Sequence, residues 1–180
     1  SFNVRALGFY LRAGFRVVAP LLELERPAGP DLRSPEGGGL VLRAATRIER
    51  DRIIARDARA FGASRPQNID LFLDGGEGVV AMEGERLVGY ALGAGGHRLA
   101  YLGSAAGDDA GTLLALVRHL TGRFGARGLC VRTLVAAGDR PLVDGLLTTG
   151  FRVTGARQYL VRGGGTAPPA NYLLMNGDLM

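Results

Sequence analysis

Apolar residues recur along this chain at two spacings, one helical and one alternating. Over residues 2–13, Val4, Leu7, Tyr10 and Leu11 fall at helical intervals, with Asn3 placed as N-cap and Gly14 as a left-handed stop. Residues 15–24 read as extended, and residues 40–45 as an apolar strand. Thr46 caps a long helix over 47–61, and a shorter helix follows over 66–73. Residues 77–82 and 86–94 alternate around the turn Glu83-Gly84-Glu85, which predicts a hairpin, and a further strand is expected over 98–103. An amphipathic helix over 112–124 carries Leu113, Leu114, Leu116, Val117 and Leu120. A strand over 129–135, a helix over 141–149 with proline in its first turn, and a strand over 151–161 complete the pattern. This order predicts an α/β layer structure, a mixed central sheet flanked by helices.

One segment occurs twice. Shifting the chain by 136 positions lays Asn3 on Asp139, and Leu11, Gly14, Phe15, Arg16 and Val17 recur as Leu147, Gly150, Phe151, Arg152 and Val153. The first copy carries polar tips at Asn3 and Tyr10, where the second has Asp139 and Leu146. One copy reads as built for chemistry, the other for packing. Between them, residues 26–39 combine three prolines with four glycines and form the one convincing linker.

Composition narrows the chemistry further. All 22 basic residues are arginine, which excludes Schiff-base, pyridoxal phosphate and Walker-lysine mechanisms within this chain. A GC-rich coding genome accounts for the missing lysine, together with 29 glycines and no tryptophan. The net charge of +5 invites an anionic partner, but the arginines form no basic stripe, so nucleic acid is not expected. Arg47, Arg50, Arg52, Arg56 and Arg59 alternate with Glu49, Asp51 and Asp57, a pattern expected of a solvated helix face with i,i+4 pairs. A single cysteine, Cys130, excludes an intrachain disulfide and a thiolate metal cluster, and reads as a small buried hydrophobe. His97 and His119 are too few and too far apart for a metal site. With no long apolar run and no secretory signal at the start, neither membrane insertion nor export is expected, and a cytoplasmic address follows by default.

The element order, together with N-x-x-A-x-x-x-Y-x-x-x-G-F over residues 3–15, resembles the GNAT superfamily of acetyl-CoA-dependent N-acetyltransferases. The match at the amino end covers only the last helix and final strands of such a domain. Residues 40–162 resemble a whole one, of the kind found as the second half of tandem GNAT proteins. Within it, Asp57, Phe61, Gly62 and Arg65 look like that group's D-x-x-x-F-G-x-x-R segment. The resemblance implies an acyl-CoA N-acyltransferase fold arranged as four parts: the end of an upstream GNAT domain (1–25), a linker (26–39), a second, degenerate GNAT-like domain (40–162) and a tail (163–180).

The resemblance also implies roles. Asn3 would hydrogen-bond the pantetheine arm of acetyl-CoA, and Tyr10 would donate a proton to the departing thiolate. Read from the residues alone, Asn3 is equally an N-cap and Tyr10 a packed residue with its hydroxyl at the surface. The acceptor would be a small-molecule amine or a protein N-terminus. No general base is assigned, since Glu83 and Glu85 sit on a hairpin tip and read as solvent-facing.

The family further requires an R/Q-x-x-G-x-G/A loop before the central helix, whose amides and helix dipole hold the coenzyme A pyrophosphate. Residues 104–111 read S-A-A-G-D-D-A-G here. Gly107 fits, but Ser104 replaces the arginine or glutamine, and Asp109 stands where a glycine or alanine is wanted. The second domain is therefore expected not to hold coenzyme A in the usual way. On this view the cofactor site lies upstream; the alternative is a non-catalytic binding or dimerisation module. The stray helix and strand over 2–24 either pack on the second domain's sheet or complete a second copy by strand exchange, giving a homodimer.

Overall fold

The computed structural model describes residues 4–29, 40–165 and 167–174. The chain begins with helix α1 (Val4–Arg12) and strand β1 (Phe15–Arg26), and resumes after the linker with β2 (Val41–Ala44). A 3-10 turn (Arg47–Glu49) leads into α2 (Arg50–Phe61), followed by α3 (Pro66–Gly75). The hairpin β3 (Glu77–Glu83) and β4 (Arg86–Gly95) precedes β5 (Leu99–Gly107), α4 (Ala110–Ala126) and β6 (Cys130–Ala136). The described chain finishes with α5 (Arg140–Thr148), β7 (Arg152–Arg162) and β8 (Tyr172–Leu174).

The eight strands among the described residues form one sheet in the order β2-β3-β4-β5-β8-β6-β1-β7. Its single parallel pairing joins β5 to β6, and there only through Leu99–Cys130, Ala100–Val131 and Tyr101–Arg132. Beyond that point the two strands part, and β8 enters the gap antiparallel to both.

Alternation along the strands divides the apolar side chains between the two faces. One face packs Val79, Val88, Leu102 and Val135 under α4 and α5, through Leu113, Leu116, Leu120, Leu142 and Leu146. The other packs Val80, Tyr90, Leu92 and Leu134 under α2 and α3, through Ile53, Ile69 and Phe72. β1 serves both, sending Leu24 to the first and Leu21 to the second. It is an interior strand, pairing antiparallel with β6 over residues 21–26 and with β7 along most of its length. Within this chain β1 thus lies in the sheet of residues 40–162, while α1 buries no residue.

Four local expectations need correction. The strand expected to stop at 103 runs on to Gly107, because Ser104, Ala105 and Ala106 are small enough to be wholly buried between neighbouring strands. The segment read as a patternless tail contains β8, whose three residues are all buried. The charged face of α2 is not uniformly solvated: Asp57 is 0% exposed, one turn from the buried Ile53 on the helix's inner side. Its arginines also pair across elements, Arg50 with Asp70 as well as its helix neighbour Asp51, and Arg56 with Asp108. Cys130, expected to be buried, is only half so.

Candidate functional site

The start of α4 is where the resemblance would put a pyrophosphate loop. Because β5 extends to Gly107, the connection has shrunk to Asp108 and Asp109. Several amides around it are already engaged. The Gly107 N–H donates to the carbonyl of Asn171 at 3.1 Å and the Asp108 N–H to that of Val88 at 2.9 Å. The Thr112 N–H donates to the Asp109 carboxylate at 2.7 Å, and the Leu113 N–H to the Asp109 carbonyl at 3.2 Å. Asp109 is thus the N-cap of α4, as its side chain and extended backbone require.

Asp108 is held by two arginines, Arg56 at 2.7 Å and Arg86 at 2.6 Å. Burial acts to raise its carboxyl, but Arg56 and then Arg86 outweigh that and keep it below the ordinary carboxylate value. A phosphate oxygen about 4 Å from the Asp109 carboxylate would meet about 4 kcal/mol of repulsion at an effective dielectric of about 20. The helix dipole returns only about 0.3–1 kcal/mol at such a site. Residues 104–112 therefore do not fit the pyrophosphate of coenzyme A.

The gap between β5 and β6 ends in a buried polar cluster. Tyr90 and Tyr172 donate their hydroxyls to Asp57 at 2.5 and 2.7 Å. Arg65 donates to both oxygens of Asp57, to the Ser104 hydroxyl at 3.0 Å and to the Tyr172 oxygen. The Arg65 guanidinium also lies 3.7 Å over the Phe61 ring. Burial is the main force pushing the Tyr90 and Tyr172 hydroxyls above the ordinary phenol value, and the neighbouring Asp57 carboxylate adds to it. The D-x-x-x-F-G-x-x-R segment is thereby explained: Gly62 ends α2 at a φ of 83°, and the chain turns back to set Arg65 against Asp57 and Phe61. That spacing was the available signal for Asp57, hidden by the surrounding charges.

Of the two residues expected to carry chemistry in the amino-terminal copy, Tyr10 is not brought to this cluster. Tyr10 lies on α1, which buries no residue, and is 42% exposed. Its ring meets Phe15 edge-on at 5.5 Å and Phe9 at 5.8 Å. Asn3 lies outside the described residues. Leu146, the counterpart of Tyr10 in the second copy, is 0% exposed. Glu83 and Glu85 are exposed, as expected of a hairpin tip, and Glu83 pairs with Arg86. Among the described residues no group of histidine, cysteine and carboxylate side chains could hold a metal ion. No helix there is long and apolar enough to cross a membrane.

No protein-family model and no curated protein matches the chain. Solved structures do. A GCN5-related N-acetyltransferase from Sphaerobacter thermophilus superposes with a TM-score of 0.66 at 18% identity, over 93% of this chain and 60% of that one. An acetyltransferase-named protein of Pyrococcus horikoshii gives 0.72 at 13% identity, over 96% of this chain and 55% of its own. A third, assigned to the GNAT family and from Novosphingobium aromaticivorans, gives 0.61 at 20% identity, over 83% and 68%. The chain thus spans between about half and two thirds of the length of these proteins. At such identities the likeness is one of architecture, and it agrees with the mixed sheet, the parted central strands and the helix order described above: the chain has the GNAT fold.

Proposed function

We propose that this chain is the carboxy-terminal part of an acetyl-CoA-dependent N-acetyltransferase. Residues 1–25 close an upstream GNAT domain that holds the cofactor, and residues 40–162 form a second, non-catalytic domain that covers or shapes the acceptor pocket. The acceptor is an amine, either on a small molecule or at a protein N-terminus. Asn3 and Tyr10 belong to the upstream site, Tyr10 as a proton donor.

The observation that carries this reading is the Asp109 carboxylate capping the first turn of α4. Gly107, Asp108, Thr112 and Leu113 all donate within the chain, and two carboxylates stand where a phosphate would have to come. Support for the amino-terminal assignment is the contrast between Tyr10, half in solvent on an uncovered helix, and its buried counterpart Leu146. Titrating acetyl-CoA into this chain by calorimetry tests the first part, with no binding heat expected. Micromolar affinity would sink the non-catalytic reading of residues 40–162. The second part is tested by assaying the longer natural polypeptide for acetyl transfer from acetyl-CoA to a panel of amines. No transfer at all would favour a purely non-catalytic binding or dimerisation module.

A further inference from the structure

The α1–β1 and α5–β7 units are two copies of one structure as well as of one sequence. Gly14 and Gly150, 136 positions apart, both end their helices at positive φ, 84° and 88°. Val18 is bulged out of the β1–β7 ladder, between Val17 and Ala19, and Thr154, its counterpart at the same interval, is bulged out between Val153 and Gly155. Leu21 stands opposite Arg157, its own counterpart. Counterparts that face each other in an antiparallel pair mark a local two-fold axis. Half a turn about the Leu21–Arg157 pair therefore exchanges the two units.

Their surroundings do not obey that symmetry. The second edge of β1 is held by β6 along residues 21–26, whereas the matching stretch of β7, residues 157–162, lies on the outer edge of the last strand among the described residues. α5 buries Leu142, Val143 and Leu146 in the cluster that contains α4. On α1, by contrast, Phe9 and Tyr10 are 62% and 42% exposed. An open strand edge beside an uncovered apolar helix is a surface that folded proteins rarely leave bare.

We infer that the β7 edge and the α1 face dock a second unit of this same fold, carried on the same polypeptide, whose own counterparts of β6 and α4 occupy the two-fold-related places. A second copy of this chain cannot supply them, because its β6 already holds its β1 and its α4 already covers its α5. Longer relatives in structure are consistent with such a unit, since this chain spans only 60% and 55% of two of them. The inference rests on the tandem reading above and adds a specific arrangement: the domains exchange strands reciprocally, β1 lying beside the downstream β6 and β7 beside its upstream counterpart. It also sets a steric requirement. Gly145, where α5 meets Leu114, has Phe9 as its counterpart, so the helix covering α1 must offer a recess there.

Hydrogen exchange of the longer natural polypeptide tests this with an internal reference. Amides of residues 157–162 that point away from β1 should be protected to within about tenfold of their counterparts in residues 21–26, which are flanked on both sides. Exchange at the rate of a free edge, about a hundredfold faster or more, would overturn the arrangement while leaving a tandem enzyme intact. Protection that appears only with rising protein concentration, together with a dimer mass by light scattering, would overturn it in favour of a second copy. A coding sequence before residue 1 without a GNAT-like unit would sink the tandem reading itself and the docking with it.

Discussion

The hydroxyl of Tyr172 donates to the carboxylate of Asp57 at 2.7 Å, tying the last described strand to the second helix across 115 positions of chain. Removing it by Tyr172→Phe leaves Asp57 with one partner fewer in a dry site and should cost about 1–3 kcal/mol. Asp57→Ala goes further, stranding Arg65 without its counter-charge, and should cost about 3–5 kcal/mol. Urea unfolding of both variants checks the order. A neutral Tyr172→Phe would mean that β8 is held by its backbone alone.

The same cluster predicts a loss of stability in alkali. Tyr90 and Tyr172 both have their phenol ionisation pushed upward in the fold, by burial first, and next by the neighbouring Tyr172 for Tyr90 and by the Asp57 carboxylate for Tyr172. A raised folded value means that the unfolded chain ionises first, so this contribution is intact below the ordinary value of 10.0 and declines as pH rises beyond it. Unfolding free energies measured from pH 8 upward should fall past 10, and less steeply in Tyr172→Phe than in the parent. Parallel slopes would contradict the assignment.

Gly107 fits a phosphate loop by sequence, but its role here is steric. A Cβ at this position would meet the Asp109 carbonyl oxygen at 2.7 Å and the Leu113 nitrogen at 2.8 Å, both backbone atoms that cannot swing aside. Gly107→Ala should therefore destabilise the chain by about 1–3 kcal/mol, the usual cost of overpacking. Thermal unfolding provides the measurement, and an unchanged midpoint would show that the start of α4 can move.

Asp139 has two duties, accepting from the Leu142 amide at 3.3 Å as the cap of α5 and from the Asn171 amide at 2.7 Å ahead of β8. Asp139→Ala should lower stability by about 0.5–2 kcal/mol through the cap alone. Asp139→Ser, which can still cap but reaches less far, should recover most of that while leaving residues 167–174 more open to limited proteolysis. Equal cleavage in the parent and both variants would remove Asp139 as an anchor of β8.

For Tyr10 the expected outcome concerns turnover. In the longer polypeptide Tyr10→Phe should lower kcat by about 10²–10⁴, the range for losing a positioned general acid, with the affinity for acetyl-CoA little changed. Unaltered turnover would return the residue to its contacts with Phe9 and Phe15.

Periodicity located the helices and strands from residue 40 onward to within a few positions, since amphipathic faces such as that of α4 are set locally by the spacing of Leu113, Leu116, Val117 and Leu120. Non-local facts were less legible. Asp57 hides among solvated charges, and only its partners from β4 and β8 make it a core residue. Residues 104–106 look like a loop because they are small, yet that smallness is what lets them lie buried in an interior strand. β8 has three residues and no room for a pattern; its pairing depends on a gap that opens elsewhere in the sheet.

The interior position of β1 also bears on how the molecule is made. Both of its ladders, to β6 and β7, wait for segments that a ribosome delivers more than a hundred residues later. Contacts so distant along the chain form slowly. Until those segments arrive nascent β1 lacks both ladders and needs shielding, and a premature stop before β7 would leave it half-clad and prone to aggregation.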